Sequence, residues 1–233
     1  VSFDGSTSRA VVNLATGTAT VGADTNTLVS IEDVTGTIYG DLITGNSGAN
    51  RIRSGGDYDW LVGSGGGDTF EGGTGRDTVA YSSATAGVIA NLTTNRGTGG
   101  QANGDSYVSV ENLTGSSYVD RLTGNWDSNI LRGFAGDDFI FGMAGRDRIE
   151  GGAGHDNIDG GADGDRITGG SGNDTIDGGS GWDTAIFSGT RSQYVVSTVN
   201  DVTSVRHTVA GGDGIDYLTH IEVLEFSDGQ LFV

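Results

Sequence analysis

The chain has 233 residues, 44 of them glycine, and it contains neither cysteine nor proline. Acidic side chains outnumber basic ones by 31 to 12, and the formal net charge is −19. This charge excludes nucleic acid as a partner, because nucleic-acid binding needs a basic surface. The absence of cysteine excludes a disulfide framework, and no apolar run reaches the length of a transmembrane helix.

Residues 1–35 lack closely spaced glycines and alternate apolar with polar residues, as in VVNLATGTATV, which predicts short β-strands. A repeat of nine residues, here called a nonad, then runs in unbroken register from Gly36 to Ala80. Each nonad begins with glycine-rich turn residues, has an acidic or amide residue at position six and an aliphatic or aromatic residue at position eight. We therefore predict a first module at 1–78, with a β cap at 1–35 and nonads at 36–80.

Residues 79–114 repeat the plan of the first segment, since Ser109-Val110-Glu111 matches Ser30-Ile31-Glu32. Nonads resume at Gly115 and continue to Ile186, and the clearest copies read GGAGHDNID, GGADGDRIT and GGSGNDTID. These segments predict a second module at 79–186, with a β linker at 79–114 and nonads at 115–186. Residues 187–233 alternate again and predict a C-terminal β cap, in which Gly211 to Thr219 forms one isolated nonad.

One nonad cannot bury a core, because a single large side chain points inward from each copy. Stacked copies can, and we expect Ile149, Ile158, Ile167 and Ile176 to line one continuous apolar row. Stacking also brings the sixth-position carboxylates into rows, which repel one another unless a cation lies between them. Oxygen ligands from aspartate and backbone carbonyls suit Ca²⁺ better than zinc or copper.

The pattern GGxGxDxUx, where U is a large apolar residue, resembles the nonapeptide of the RTX, or haemolysin-type, calcium-binding proteins. The resemblance implies an all-β fold, a parallel β-roll solenoid, here as two tandem calcium β-rolls with β-strand capping segments. It also implies Ca²⁺ ions between turns, about nine at most if each ion bridges a nonad and the second one after it. The predicted metal ligands are Asp41, Asn50, Asp59, Asp68, Asp77, Asp120, Asn129, Asp138, Asp147, Asp156, Asp165, Asp174, Asp183 and Asp216.

Asn50 and Asn129 keep an oxygen but lose the charge, so we expect weak sites or none there. The N-terminal segment does not resemble a signal peptide and does not begin with methionine, which suggests a piece of a longer protein. The resemblance implies type I secretion from a bacterium and an extracellular or cell-surface location. There, calcium can take the stabilising role of disulfides.

Three classes of function remain open. The first is a non-catalytic calcium-binding module that supports secretion and stability, such as the tail of a polysaccharide-active enzyme. The second is a calcium-dependent adhesive or self-associating module of a surface or biofilm-matrix protein. Its contacts with polysaccharide or with a second copy would be an apolar outer face and two tryptophans in turns, namely Leu42, Trp60, Val62 and Ala80, and Trp126 and Trp182. An enzyme is the third and weakest, because no catalytic motif stands outside the repeats.

Overall fold

The computed structural model describes residues 1–209 and 212–233, which form two compact units, Val1–Ser116 and Ser117–Val233. Both are built from short β-strands, and the helical residues within the described ranges are two 3-10 turns, Gly100–Ala102 and Arg191–Gln193. The strands of unit 1 are β1 (Ala10–Asn13), β2 (Thr18–Val21), β3 (Asp24–Thr27), β4 (Asp33–Thr35), β5 (Leu42–Thr44), β6 (Arg51–Gly56), β7 (Trp60–Val62), β8 (Thr69–Thr74), β9 (Thr78–Ala80), β10 (Ile89–Asn91), β11 (Arg96–Gly99), β12 (Ser106–Val108) and β13 (Asn112–Thr114). The strands of unit 2 are β14 (Arg121–Thr123), β15 (Ile130–Ala135), β16 (Phe139–Phe141), β17 (Arg148–Ala153), β18 (Asn157–Ala162), β19 (Arg166–Ser171), β20 (Thr175–Ser180), β21 (Thr184–Ile186), β22 (Tyr194–Val199), β23 (Val202–His207), β24 (Ile215–Thr219), β25 (Val223–Phe226) and β26 (Gly229–Phe232).

Successive nonads place their strands alternately in two sheets. Strand β17 pairs in parallel with β19, so that Ile149 lies opposite Ile167, and β18 pairs in parallel with β20, so that Ile158 lies opposite Ile176. Two nonads therefore make one turn of a parallel β-roll, as the resemblance implied. Parallel strands usually require a long crossover connection. Here the glycine turn and the strand of the intervening nonad supply it.

The apolar core consists of one row of buried side chains in each sheet, which come from the eighth positions of the nonads and from the segments that flank them. The expectation of a single row was wrong: Ile149 and Ile167 belong to one sheet, and Ile158 and Ile176 belong to the other. The cause is the alternation of nonads between the sheets, which separates neighbouring copies. In unit 1, one buried row is Val12, Ile43, Leu61, Val79 and Leu113, and the other is Val34, Ile52, Phe70 and Tyr107. In unit 2, one buried row is Leu122, Ile140, Ile158, Ile176 and Leu218, and the other is Leu131, Ile149, Ile167, Ala185 and Leu224.

Glycine at the second position of a nonad allows the positive φ angle and the close approach of the neighbouring turn. Gly152 has a φ of 122°, and a methyl group there would lie 2.6 Å from the carbonyl carbon of Phe134. Phe134 and Met143 occupy the same position in their own nonads and hold φ angles of 81° and 84°. These two turns are therefore strained relative to their glycine counterparts.

The three segments between and beyond the nonads are antiparallel strands joined to the rolls. Strands β1, β2 and β3 form a meander whose first strand pairs in parallel with β5. Strand β12 joins β8, and β24 and β25 join β20 and β21. The isolated nonad begins at Gly211, which lies outside the described residues, but its Leu218 stacks on Ile176. The module boundaries given above stay a prediction.

The outer faces are more covered than the sequence suggested. Ala80 is fully buried, and Leu42, Trp60 and Val62 are half-buried, so the apolar outer face predicted for the first nonads is only partly accessible. Arginine side chains on the roll of unit 2 pair with glutamates: Arg132 and Arg148 with Glu150, and Arg166 with Glu225. Within the described ranges, no helix has the length and apolar character needed to cross a membrane.

We predict that Ile158→Ala lowers the free energy of unfolding by about 2–5 kcal/mol, because the side chain is 1% exposed and leaves a cavity between Ile140 and Ile176. Denaturant unfolding at fixed calcium concentration measures the change. Ile38→Ala is the matched control, since Ile38 is 65% exposed and should change stability little. Equal losses for the two variants would contradict the assigned core.

Candidate metal centre

All sixth-position side chains predicted as ligands are buried beneath the turns. Each of them exposes at most 3% of its surface. Burial of this many carboxylates is unusual, because ionised aspartate is rarely buried unless it is paired. The residues concerned are Asp41, Asn50, Asp59, Asp68, Asp77, Asp120, Asn129, Asp138, Asp147, Asp156, Asp165, Asp174, Asp183 and Asp216.

One oxygen of each carboxylate is used to join consecutive turns of the roll. The backbone N–H of Asp147 donates to Oδ1 of Asp165 at 2.8 Å, and that of Asp165 donates to Oδ1 of Asp183 at 2.7 Å. The same bond recurs along every row, with distances of 2.7 to 2.9 Å. The rows are therefore ladders of hydrogen bonds that run along the roll.

The second oxygen, Oδ2, differs from the first in its hydrogen bonding. In the part of the chain that the structure describes, Oδ2 of seven of these aspartates is buried and has no hydrogen-bond partner. A buried, unpaired anionic oxygen destabilises the fold by several kcal/mol unless a cation or a proton neutralises it. The seven residues are Asp59, Asp77, Asp138, Asp156, Asp165, Asp174 and Asp183.

First-position glycines leave space beside these oxygens. A methyl group at Gly160 would lie 2.6 Å from Oδ2 of Asp165 and 2.7 Å from the carbonyl oxygen of Gly178, one turn further along the roll. A carboxylate oxygen and a backbone carbonyl oxygen thus face the small space beside the first-position glycine. This space, here called a cradle, is open only because glycine has no Cβ. Similar cradles lie at Gly133 and Gly151.

Burial raises the pKa of these aspartates. The main cause is desolvation, and neighbouring carboxylates add to it. The pKa is raised to about 7 for Asp138 and Asp165, to about 6 for Asp77 and Asp156, and to about 8 for Asp216. Without a cation, the ionised rows therefore oppose folding at neutral pH.

The donor set suits a hard divalent cation. The two nearest atoms at the cradles of Gly133, Gly151 and Gly160 are a carboxylate oxygen and a carbonyl oxygen, which is the chemistry that Ca²⁺ prefers and that zinc and copper do not. Within residues 1–209 and 212–233, no three histidine, aspartate or glutamate side chains are placed so that they could hold a metal ion by themselves. An ion here would consequently need backbone carbonyls as well as carboxylates. The buried aspartate series fits calcium sites.

Several predicted positions depart from this geometry. Oδ2 of Asp41 accepts a hydrogen bond from the N–H of Thr37 at 2.6 Å, and Oδ2 of Asp68 accepts one from Ser64 Oγ at 3.4 Å. Asn50 uses its amide group to donate to Glu32 at 3.0 Å. Ser54 stands where the cradle beside Asp59 would have glycine, and its hydroxyl donates to the carbonyl of Gly72 at 2.9 Å. These positions are less open to a cation than the cradle at Gly160.

The sequence analysis missed three carboxylates that end the rows. The N–H of Asp77 donates to Glu111 at 2.8 Å, that of Asp183 donates to Glu222 at 2.7 Å, and that of Asp68 donates to Asp105 at 2.7 Å. Each stands in the place of the next sixth-position aspartate, although no nonad surrounds it.

A signal for two of these residues is present in the sequence. Ser109-Val110-Glu111 and His220-Ile221-Glu222 share a pattern with Ser30-Ile31-Glu32, and the first residue of each has a positive φ of 50° to 53°. In every case the glutamate lies two residues before a buried aliphatic side chain, as aspartate does in a nonad. A search for an acidic residue at this spacing, without the glycines, would have found them.

We predict that Gly160→Ala destabilises the protein by about 1–3 kcal/mol, because the added methyl group overlaps Asp165 Oδ2 and the Gly178 carbonyl. Thermal unfolding of the purified variants measures the effect. Gly65→Ala is the control, since nothing lies within 4 Å of a methyl group at Gly65. If both variants unfold like the parent, the cradle at Gly160 is not as closed as described.

We also predict that, in a chelator, acidification increases β structure. The raised pKa values mean that the folded chain binds more protons than the unfolded chain between about pH 4 and pH 7, so stability falls as pH rises through this window. Circular dichroism of the calcium-free protein at pH 5 and at pH 8 tests the sign. Greater strand content at pH 8 than at pH 5 would refute the assignment.

Comparison with known families identifies the repeat. The model of the RTX calcium-binding nonapeptide repeat matches in four copies, at residues 44–79, 110–140, 132–167 and 159–187. No curated protein matches the chain. The matched segments carry the buried sixth-position residues other than Asp41 and Asp216, together with the cradles at Gly133, Gly151 and Gly160. The repeat region of this chain therefore belongs to the family of RTX calcium-binding nonapeptide repeats.

Proposed function

We propose that the chain is a calcium-binding β-roll module in which ions bind at the open cradles between consecutive turns. The observation that carries this proposal is the set of buried Oδ2 atoms without a partner, each beside a first-position residue that is almost always glycine. The structure supports strong sites at six of the seven aspartates that have such an oxygen, whereas the site at Asp59 is less open because Ser54 stands in the place of the glycine. Asp120, Asp147 and Asp216 lie in the same ladders. About nine ions, the largest number expected from the repeats, would carry a charge that nearly cancels −19.

Calcium binding and folding are coupled in this proposal. Hydrophobic residues make up only 34% of the chain, and the apo rows bring many ionised carboxylates together in buried positions. Self-repulsion of these rows opposes the compact state, whereas each bound ion stabilises the folded state alone. The chain is then disordered at low calcium and folds where calcium is abundant.

This coupling suits a protein exported from a bacterium. A chain that remains unfolded inside the cell can pass through a narrow secretion channel and fold outside, where calcium reaches about 1 mM. We infer a secreted, extracellular or cell-surface location, with type I secretion as the route. The module then contributes stability to its parent protein rather than catalysis. His155, His207 and His220 have no assigned part in this function.

A second candidate is a calcium-dependent adhesive or self-associating module. Trp126 and Trp182 are 70% and 63% exposed, and Phe139 is 45% exposed on a strand of unit 2. Aromatic side chains at such positions can stack on sugar rings or on a second copy of the chain. A role as the non-catalytic tail of a polysaccharide-active enzyme is compatible with the same surface.

We predict that the purified chain changes from coil to β structure as calcium is added, with a midpoint of about 1 mM or below. Far-UV circular dichroism follows the transition, and light scattering on the same sample reports the size of the particles. Magnesium at equal concentration is the control, because its strict octahedral geometry suits flexible carbonyl-rich turns poorly.

The two readouts separate the candidates. A transition without growth in size supports a folding module, and one with reversible, calcium-dependent growth supports self-association. Full β structure in a chelator at pH 8, unchanged by calcium, would remove the basis of both proposals.

A further inference from the structure

The cradle at Gly63 is filled by a side chain. Gly63 is the first residue of the nonad that contains Asp68, and the residue one turn further along is Tyr81. At Gly133, Gly151 and Gly160 that residue turns a carbonyl oxygen towards the cradle, as Gly178 does at Gly160. At Gly63 a methyl group would instead lie 2.7 Å from Cδ1 and 3.1 Å from Cζ of the Tyr81 ring.

The hydroxyl group of Tyr81 forms hydrogen bonds with two other buried side chains. Tyr81 is fully buried and its hydroxyl donates to Oδ2 of Asp105 at 2.6 Å, while lying 2.7 Å from the hydroxyl of Tyr107. Oδ1 of Asp105 accepts the N–H of Asp68. Both oxygens of this buried carboxylate therefore have hydrogen-bond donors without any cation.

The rest of this ladder is also satisfied by hydrogen bonds. Asn50 carries no charge, and its Oδ1 accepts the N–H of Asn46 at 2.7 Å. Asp68 receives the N–H of Asn50 on Oδ1, and its Oδ2 lies 3.4 Å from the hydroxyl of Ser64, which also donates to the carbonyl of Asn46. By contrast, Asp77, in the other ladder of unit 1, has an Oδ2 without a partner.

We propose that the ladder of Asn50, Asp68 and Asp105 binds no divalent cation at Asp68, because the Tyr81 ring occupies the cradle and the Tyr81 hydroxyl donates a hydrogen bond to Oδ2 of Asp105. Unit 1 then binds calcium along one ladder, and a tyrosine–aspartate–tyrosine cluster joins the turns along the other. This inference rests on the proposed function, since it concerns which of the repeat positions take calcium.

Tyr81 follows directly from the nonads, at the point where glycine would begin the next copy. The chain between Tyr81 and Asp105 forms the inserted strands β10 and β11, and Asp105 with Tyr107 then returns to the ladder. At this junction the ring of Tyr81, and not a carbonyl oxygen, faces Gly63. The tyrosine hydroxyl supplies a hydrogen bond in its place.

The direct test is a crystal structure of the calcium-loaded protein with anomalous data collected at a wavelength where calcium scatters strongly. We expect peaks beside Asp77 and Asp165 and no peak within 3 Å of Asp68 Oδ2, where about 2.4 Å is the normal calcium–oxygen distance. A peak ligated by Asp68 or Asp105 would overturn this inference and leave the proposed function standing. The absence of peaks from every ladder would overturn the proposed function itself.

A variant tests the role of the hydroxyl group. Tyr81→Phe keeps the ring in the cradle but leaves Asp105 without its donor, so we expect the same number of bound calcium ions and a thermal midpoint lower by about 5 °C. Tyr58→Phe is the control, because Tyr58 is 67% exposed. Identical midpoints for the two variants, or an additional bound ion in Tyr81→Phe, would contradict the proposed replacement.

Discussion

The structure depends on buried aspartate carboxylates in which the backbone provides a hydrogen bond to only one of the two oxygens. Along the ladders, Oδ1 of a sixth-position aspartate accepts a hydrogen bond from the N–H of the equivalent residue one turn earlier, as Oδ1 of Asp165 does from Asp147. In seven of them Oδ2 is left buried beside a cradle lined by oxygen. The hydrogen bond fixes the register of the turns, and the unpaired oxygen makes the stability of that register depend on a cation.

The other features of the nonad follow from this constraint. First-position glycine is needed because any Cβ would occupy the cradle, as the short distances at Gly160 demonstrate. The eighth-position aliphatic residue is the only large apolar group that a strand this short can bury, so Ile158 and Ile167 supply nearly all the packing of their copies. A core this thin gives little reserve of stability. The electrostatics of the ladders therefore have a large share in deciding whether the chain folds.

Most of the repeat could be predicted from the sequence, because a fixed period of nine places equivalent residues one above another. The parallel roll was predicted correctly. The nine-residue period alone does not predict that nonads alternate between two sheets, which separates Ile149 from Ile158. It also does not predict the contacts of residues outside the nonads. Asp105 and Glu111 join the ladders only because an inserted antiparallel segment returns the chain to the same edge. Tyr81 stands at the position where glycine would begin the next nonad, and the sequence alone does not show that its ring fills the cradle at Gly63.

Hydrogen–deuterium exchange of the full chain, at pH 7.5 with calcium and with chelator, tests most directly whether cations hold the ladders together. The N–H groups of the sixth-position aspartates, such as Asp138 and Asp165, donate across the turns and report on each contact between turns. The account predicts slow exchange at these groups with calcium and exchange near the unfolded rate in chelator. Equal protection in both conditions would show that the roll stands without cations and would contradict the account.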